Sequence, residues 1–146
     1  MKEYPSTPLE EFQQQCLTMV SALVESEGSL FCLFSPDGAP KRLLTDQLAK
    51  PVERDFLQHS AAMLSFVDNP EDIVVVQQLG GTDHAHWLAS LLFWRQQRVE
   101  ALVGLVRPRT APPFDAEELK RLEVVHPVIG HVLQQVYLGP PSVQWH

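Results

Sequence analysis

LASLLFWR, residues Leu88–Arg95, and VEALVGLVR, residues Val99–Arg107, are apolar runs separated by Gln96-Gln97-Arg98, and PRTAPPFDAEEL, residues Pro108–Leu119, follows without a break. That spacing is a β-hairpin feeding a helix. A three-residue loop pairs Arg95 with Val99, sending Leu91, Phe93, Ala101 and Val103 to one face and Ser90, Leu92, Trp94, Leu102 and Gly104 to the other. Ser90 opposite Gly104 leaves room on the second face for a ligand or for a closely packed terminal helix. Beyond the Pro-rich turn, Asp115 can accept from the first helical N–H groups, Glu118 can reach back to complete a capping box, and Phe114 can staple onto Leu119.

The final helix, expected over about residues 115–138, carries Leu119, Leu122, His126, Ile129, Leu133 and Val136 at spacings of three and four, and Gly139-Pro140-Pro141 stops it. Pro127 takes away one backbone bond and predicts a kink near Val125–Pro127. At the other end, Thr7-Pro8-Leu9-Glu10 reads as a capped helix start. Leu9, Phe12, Cys16, Met19 and Leu23 continue it as a stripe over about residues 8–27, with Gly28 as its stop. Both terminal helices bear a seam narrow enough for helix-on-helix packing. Leu9, Phe12, Cys16, Met19, Leu122, Ile129 and Leu133 are the candidate contacts of a homodimer; the alternative is that they pack on the chain's own sheet.

Between these helices, residues 29–107 hold the sheet and a middle helix. Ser29–Ser35 reads as a strand, Pro36-Asp37-Gly38 as a turn, and Lys41–Thr45 as an edge strand. Val52, Phe56, Leu57, Met63, Leu64 and Phe66 mark the second helix, which Asp68-Asn69-Pro70 breaks, and Ile73–Gln77 is a short β-branched strand. Gly80-Gly81-Thr82-Asp83 opens a loop reaching Trp87. No internal repeat interrupts this order, so a single domain over residues 1–146 is expected.

Composition narrows the function classes. The chain has 45% hydrophobic residues and a net charge of −7, enough apolar material for one sizeable core. Residues 1–28 carry one Lys against five Glu, residues 29–113 are nearly balanced, and residues 114–146 add −2. Such a chain repels a phosphate backbone, so no direct nucleic-acid partner is expected. The start has no apolar signal core and no run approaches membrane-spanning length, which with the two unpatterned cysteines, Cys16 and Cys32, reads as a cytoplasmic protein with no membrane partner.

Val103-Gly104-Leu105-Val106-Arg107 followed by Phe114-Asp115-Ala116-Glu117-Glu118-Leu119-Lys120-Arg121-Leu122 resembles the close of GAF-like sensor domains, especially those preceding a LuxR-type helix-turn-helix. The resemblance implies an α+β fold of GAF/PAS type, with a central antiparallel sheet of about five strands and the terminal helices packed on one face. It also implies a small-molecule pocket on the other face, beneath the middle helix and loops. The sequence stops at Val143-Gln144-Trp145-His146 with no room for a DNA-binding part, as in a sensor piece or a stand-alone module.

Histidine is the main source of chemistry. His84 and His86 in Asp83-His84-Ala85-His86 point to one side of an extended chain, with His59 on the middle helix as a third imidazole. They read as solvated loop side chains, as metal ligands, or as pocket donors, and the last is the expectation, with no metal and no cofactor. In that reading His59, His84 and His86 orient an unidentified, largely apolar ligand while Met63 and Trp87 supply contact area. His126 is a core or interface imidazole. Enzyme chemistry is not expected, because no Gly-x-Ser-x-Gly elbow exists and the cysteines lack a basic neighbour, unlike the cysteine clusters of GAF-type free methionine sulfoxide reductases. The alternative function is a dimeric adaptor for a protein partner, its pocket filled by its own side chains.

Overall fold

The computed structural model describes residues 7–80 and 85–138. Period-two alternation sorts its strand side chains into two apolar faces. On β1 (Gly28–Phe34), Phe31 and Leu33 part from Leu30, Cys32 and Phe34. On β4 (His86–Arg95), Ala89, Leu91 and Phe93 part from Leu88 and Leu92; on β5 (Arg98–Pro108), Ala101, Val103 and Leu105 part from Leu102 and Val106. Strands apolar on both sides belong in the middle of a covered sheet. The order is β2-β1-β5-β4-β3, all neighbours antiparallel, with β2 (Pro40–Asp46) and β3 (Val74–Leu79) at the edges. Helices α1 (Pro8–Leu23) and α3 (Ala116–Leu133) cover the first face and α2 (Lys50–Ser65) the second, an α+β fold with terminal helices on one side.

The N-terminal capping box forms, with the Glu10 N–H donating to Thr7 Oγ1 at 3.1 Å. The helix stops at Leu23, short of the expected residue 27, because Val24 turns extended at φ −138° and buries its side chain at 1% exposure. Gly28 is not the stop. It opens β1, where a Cβ would sit 2.8 Å from the Gln47 carbonyl oxygen. At the other end Asp115 and Glu118 form the second box, the Glu118 N–H donating to Asp115 Oδ1 at 2.8 Å. Phe114 and Leu119 join the same core cluster. The α-helix runs through Pro127 to Leu133 and ends in a wider π-helical turn, Gln134–Leu138.

Arg107 ties three segments together. Its Nε donates to the Glu25 carbonyl at 2.9 Å, its Nη1 to the Pro112 and Pro113 carbonyls at 3.3 and 3.2 Å, and both its Nη atoms to the Glu118 carboxylate. The guanidinium lies 4.2 Å above the Phe114 ring. Hydrogen bonding from Arg107 holds the Glu118 carboxyl below the usual carboxylate range.

The hairpin turn differs from expectation. Arg95 pairs with Arg98, and the tip is two residues, Gln96 and Gln97, at φ 53° and 67°. Both angles positive is the turn geometry that matches strand twist. The ladder then shifts between Trp94↔Val99 and Phe93↔Ala101, leaving Glu100 as a bulge residue. The bulge restores Leu92↔Leu102 and Ser90↔Gly104, as the longer loop had anticipated. The room at Gly104 faces α2 and holds neither ligand nor terminal helix: a Cβ there would meet Leu88 Cδ1 at 2.8 Å and Leu102 and Leu30 methyls at 3.3 Å.

Candidate functional site

Residues on the sheet face under α2 pack tightly. Val52, Phe56 and Met63 descend onto Leu30, Cys32, Phe34, Leu88, Leu92 and Leu102, and Phe34, Phe56, Leu88, Leu92 and Leu102 are each no more than 1% exposed. Space opens between the C-terminal half of α2 and the edge strand β3. There a cleft of about 510 Å³ is lined by His59, Ala62, Met63, Phe66, Gln77 and Gln78, with Gly80 at one end. A volume of this order suits a small ligand.

Gln77 sets the polarity of this cleft. Its Nε2 donates to the Met63 carbonyl at 3.0 Å, which also accepts from the Phe66 N–H at 3.3 Å where α2 ends. Its Oε1 is buried and has no hydrogen-bond partner among the described residues. An orphaned buried acceptor costs about 1–3 kcal/mol; Oε1 has almost no accessible surface, so a donor in the cleft recovers that penalty once the Gln77 side chain turns toward it. Phe66, which continues the apolar spacing of α2, caps its C-terminus and is 83% exposed on the cleft rim.

Of the expected ligand contacts, the structure brings His59 and Met63 together here. Trp87 does not join them: on β4 it shares the parity of Ala89, Leu91 and Phe93, and it packs into the α1 and α3 cluster across the sheet. His86 sits near the α1–β1 connection, Nε2 3.5 Å from Glu27 Oε1. His84 lies outside the described residues. Among the described residues no group of three or more His, Cys, Asp or Glu side chains could hold a metal ion, and no helix is long and apolar enough to cross a membrane.

No family model and no curated protein matches the chain. Among solved structures it is similar to the GAF domain/HD domain protein from Geobacter sulfurreducens, with a TM-score of 0.61, 15% identity, and 92% of this chain and 99% of that one covered. It is likewise similar to GAF3 of Slr1393 from Synechocystis sp. PCC6803 in its photoproduct state, with a TM-score of 0.58, 11% identity, and 89% and 96% covered. The fold is GAF-like. At these identities the likeness carries the fold, and the chemistry rests on this domain's own residues.

In this GAF-like domain the expected dimer seam is spent inside the chain. Phe12, Cys16, Leu122, Ile129 and Leu133 are at most 7% exposed, and Leu9 and Met19 pack half-buried against the same cluster. The outward apolar residues of α3 are Val124 and Val128, 70% and 58% exposed. Cys16 and Cys32 are free and lie on opposite sheet faces. Burial pushes both thiols up to about 12, which keeps them protonated and unreactive at neutral pH. His126 stacks on Phe93 at 4.4 Å and donates from Nε2 to the Leu92 carbonyl at 2.6 Å. Burial outweighs that bond and lowers its pKa, so the imidazole is held neutral. Sequence reasoning missed Gln77, whose role depends on β3 meeting the end of α2; no local signal in the chain marks it.

Proposed function

We propose that this GAF-like domain is a regulatory module that takes a small, largely apolar ligand with one hydrogen-bond donor in the cleft between α2 and β3. The observation that carries the reading is Gln77 Oε1, buried and without a hydrogen-bond partner among the described residues, at a cleft whose apolar lining is Ala62, Met63 and Phe66. His59, exposed at the same cleft, is the second polar contact. The sequence pattern around Val103–Leu122 supports a role as the sensing part of a LuxR-type transcription regulator, acting in the cytoplasm without touching DNA itself. A homodimer in this reading uses the outward Val124 and Val128 of α3, and the ligand acts by favouring one arrangement of the helices over another.

Indole, an apolar ring with one N–H donor, is a suitable probe. Its titration is expected to shift the amide resonances of Ala62, Met63, Gln77 and Gln78, and Gln77→Met is expected to weaken binding about tenfold, the worth of one buried hydrogen bond. Shifts confined to other regions, or a Gln77→Met variant that binds equally well, would refute the site. The packed face beneath α2 favours a second reading, an adaptor that binds a protein partner with its interior closed.

A further inference from the structure

The two edges of the sheet are treated differently. Strand β2 carries Pro40, Lys41, Arg42 and Asp46, devices that discourage strand addition. It is also engaged: Arg42 lies 3.5 Å from Glu10 on α1, and Lys41 Nζ donates to Tyr137 Oη at 3.0 Å. Strand β3, Val-Val-Val-Gln-Gln-Leu over Val74–Leu79, has no charge and no proline, and among the described residues its backbone pairs with β4 alone. The Leu92 N–H donates to the Ile73 carbonyl at 2.8 Å, which fixes the parity of this ladder. Ile73, Val75, Gln77 and Leu79 turn their backbone groups toward β4, so Val74, Val76 and Gln78 turn theirs outward.

Charge and apolar exposure beside this edge define what it would accept. From Asp55 to Trp94 the chain contains no Lys or Arg but has Asp55, Asp68, Glu71, Asp72 and Asp83. Asp68, Glu71 and Asp72 are exposed immediately ahead of β3. Val76 is 37% exposed on one side of the strand, and Phe66, 83% exposed, flanks the cleft on the other. We infer that the outer edge of β3 is a strand-addition site for an extended segment of a protein partner that alternates apolar side chains and carries a basic residue where it passes Asp68–Asp72. The outward groups of Val74, Val76 and Gln78 supply the ladder, the alternate side chains cover Val76 and Phe66, and the acidic run selects the partner's charge. This inference does not rest on the small-molecule cleft, although Phe66 and Gln78 border both, and the Val76 amide tells the two apart.

A capped seven-residue peptide, lysine at both ends with valine and threonine alternating between them, is the probe. Amide hydrogen exchange of the full chain is followed by NMR as the peptide is added. The Val76 and Gln78 amides are expected to slow about tenfold or more at saturation while Val75 and Gln77, already bonded to β4, change little. The same peptide with glutamate for lysine is expected to bind about tenfold more weakly. Val76→Pro removes one outward N–H and spares the β4 ladder, and it is expected to abolish the protection. The exposed double change Glu71→Gln with Asp72→Asn is expected to narrow the difference between the two peptides, and it tests the charge argument even if the proline variant fails to fold. Unchanged exchange with the lysine peptide would overturn the proposal. So would protection of Val76 and Gln78 that rises with protein concentration alone, which would assign the edge to a second copy of the chain.

Discussion

Replacing Arg107 with Met keeps the aliphatic stem and removes the side-chain bonds that join β5 to the α1–β1 connection, the Pro112-Pro113 turn and the first turn of α3, leaving the backbone bond from the Glu27 N–H to the Val106 carbonyl. The Arg107 and Glu118 side chains are 11% and 15% exposed, so the pair sits close to the buried limit. Deleting one partner of a buried pair costs about 3–5 kcal/mol. The three carbonyl acceptors lie near the surface and regain solvent, which places the expectation near the lower end, about 3 kcal/mol. Loss of the cation over Phe114 adds about 0.5–1 kcal/mol. For a chain of this size the sum lowers Tm by about 10 °C. Urea unfolding of the wild type, Arg107→Met, Glu118→Gln and the double variant closes a cycle, with a coupling of about 1–3 kcal/mol expected. An Arg107→Met variant within about 0.5 kcal/mol of wild type, the range of an ordinary surface change, would refute this account of the clamp.

Three further outcomes follow from the same geometry. The folded state lowers the pKa of His126, so the unfolded chain binds the proton more readily; stability is full above about 6.5 and declines as pH falls through it, and thermal melts of His126→Gln are expected to lose that slope. Gln96 and Gln97 occupy left-handed backbone that asparagine and glycine adopt more easily, so the pair Gln96→Asn and Gln97→Gly is expected to raise stability by about 1 kcal/mol in urea unfolding, and an unchanged midpoint would contradict the turn geometry. Cys16 and Cys32 are expected to resist a thiol reagent in the folded protein and to react within seconds once urea unfolds it; fast labelling under native conditions would contradict their burial.

The closing third of the chain was legible because its signals are local. Asp115 and Glu118 announce a helix start by themselves, and the alternation in Leu88–Arg107 fixes which residues share a face. The register at Ser90 and Gly104 survived a wrong turn length because the Glu100 bulge supplies the extra residue that the loop lacks. Elsewhere local patterns competed. Gly28 fits a helix stop as well as a strand crowded by Gln47, and only the burial of Val24 decides between them. Phe66 continues the spacing of the α2 stripe but sits at the cap, where the helix ends and Val67 takes the place on the core instead. Trp87 was misplaced although its parity with Leu91 and Phe93 was available, because loop position outweighed alternation. The cleft itself was not legible: Gln77 acquires its bond to the Met63 carbonyl only when α2 and β3 are brought together.

Native mass spectrometry of the gently purified chain tests the ligand-binding claim most directly, with Ala62→Trp as the variant that fills the cleft from its exposed wall. The account expects the wild type to carry a small-molecule mass that Ala62→Trp does not retain. A wild type without added mass, or an adduct held equally by both proteins, would contradict it.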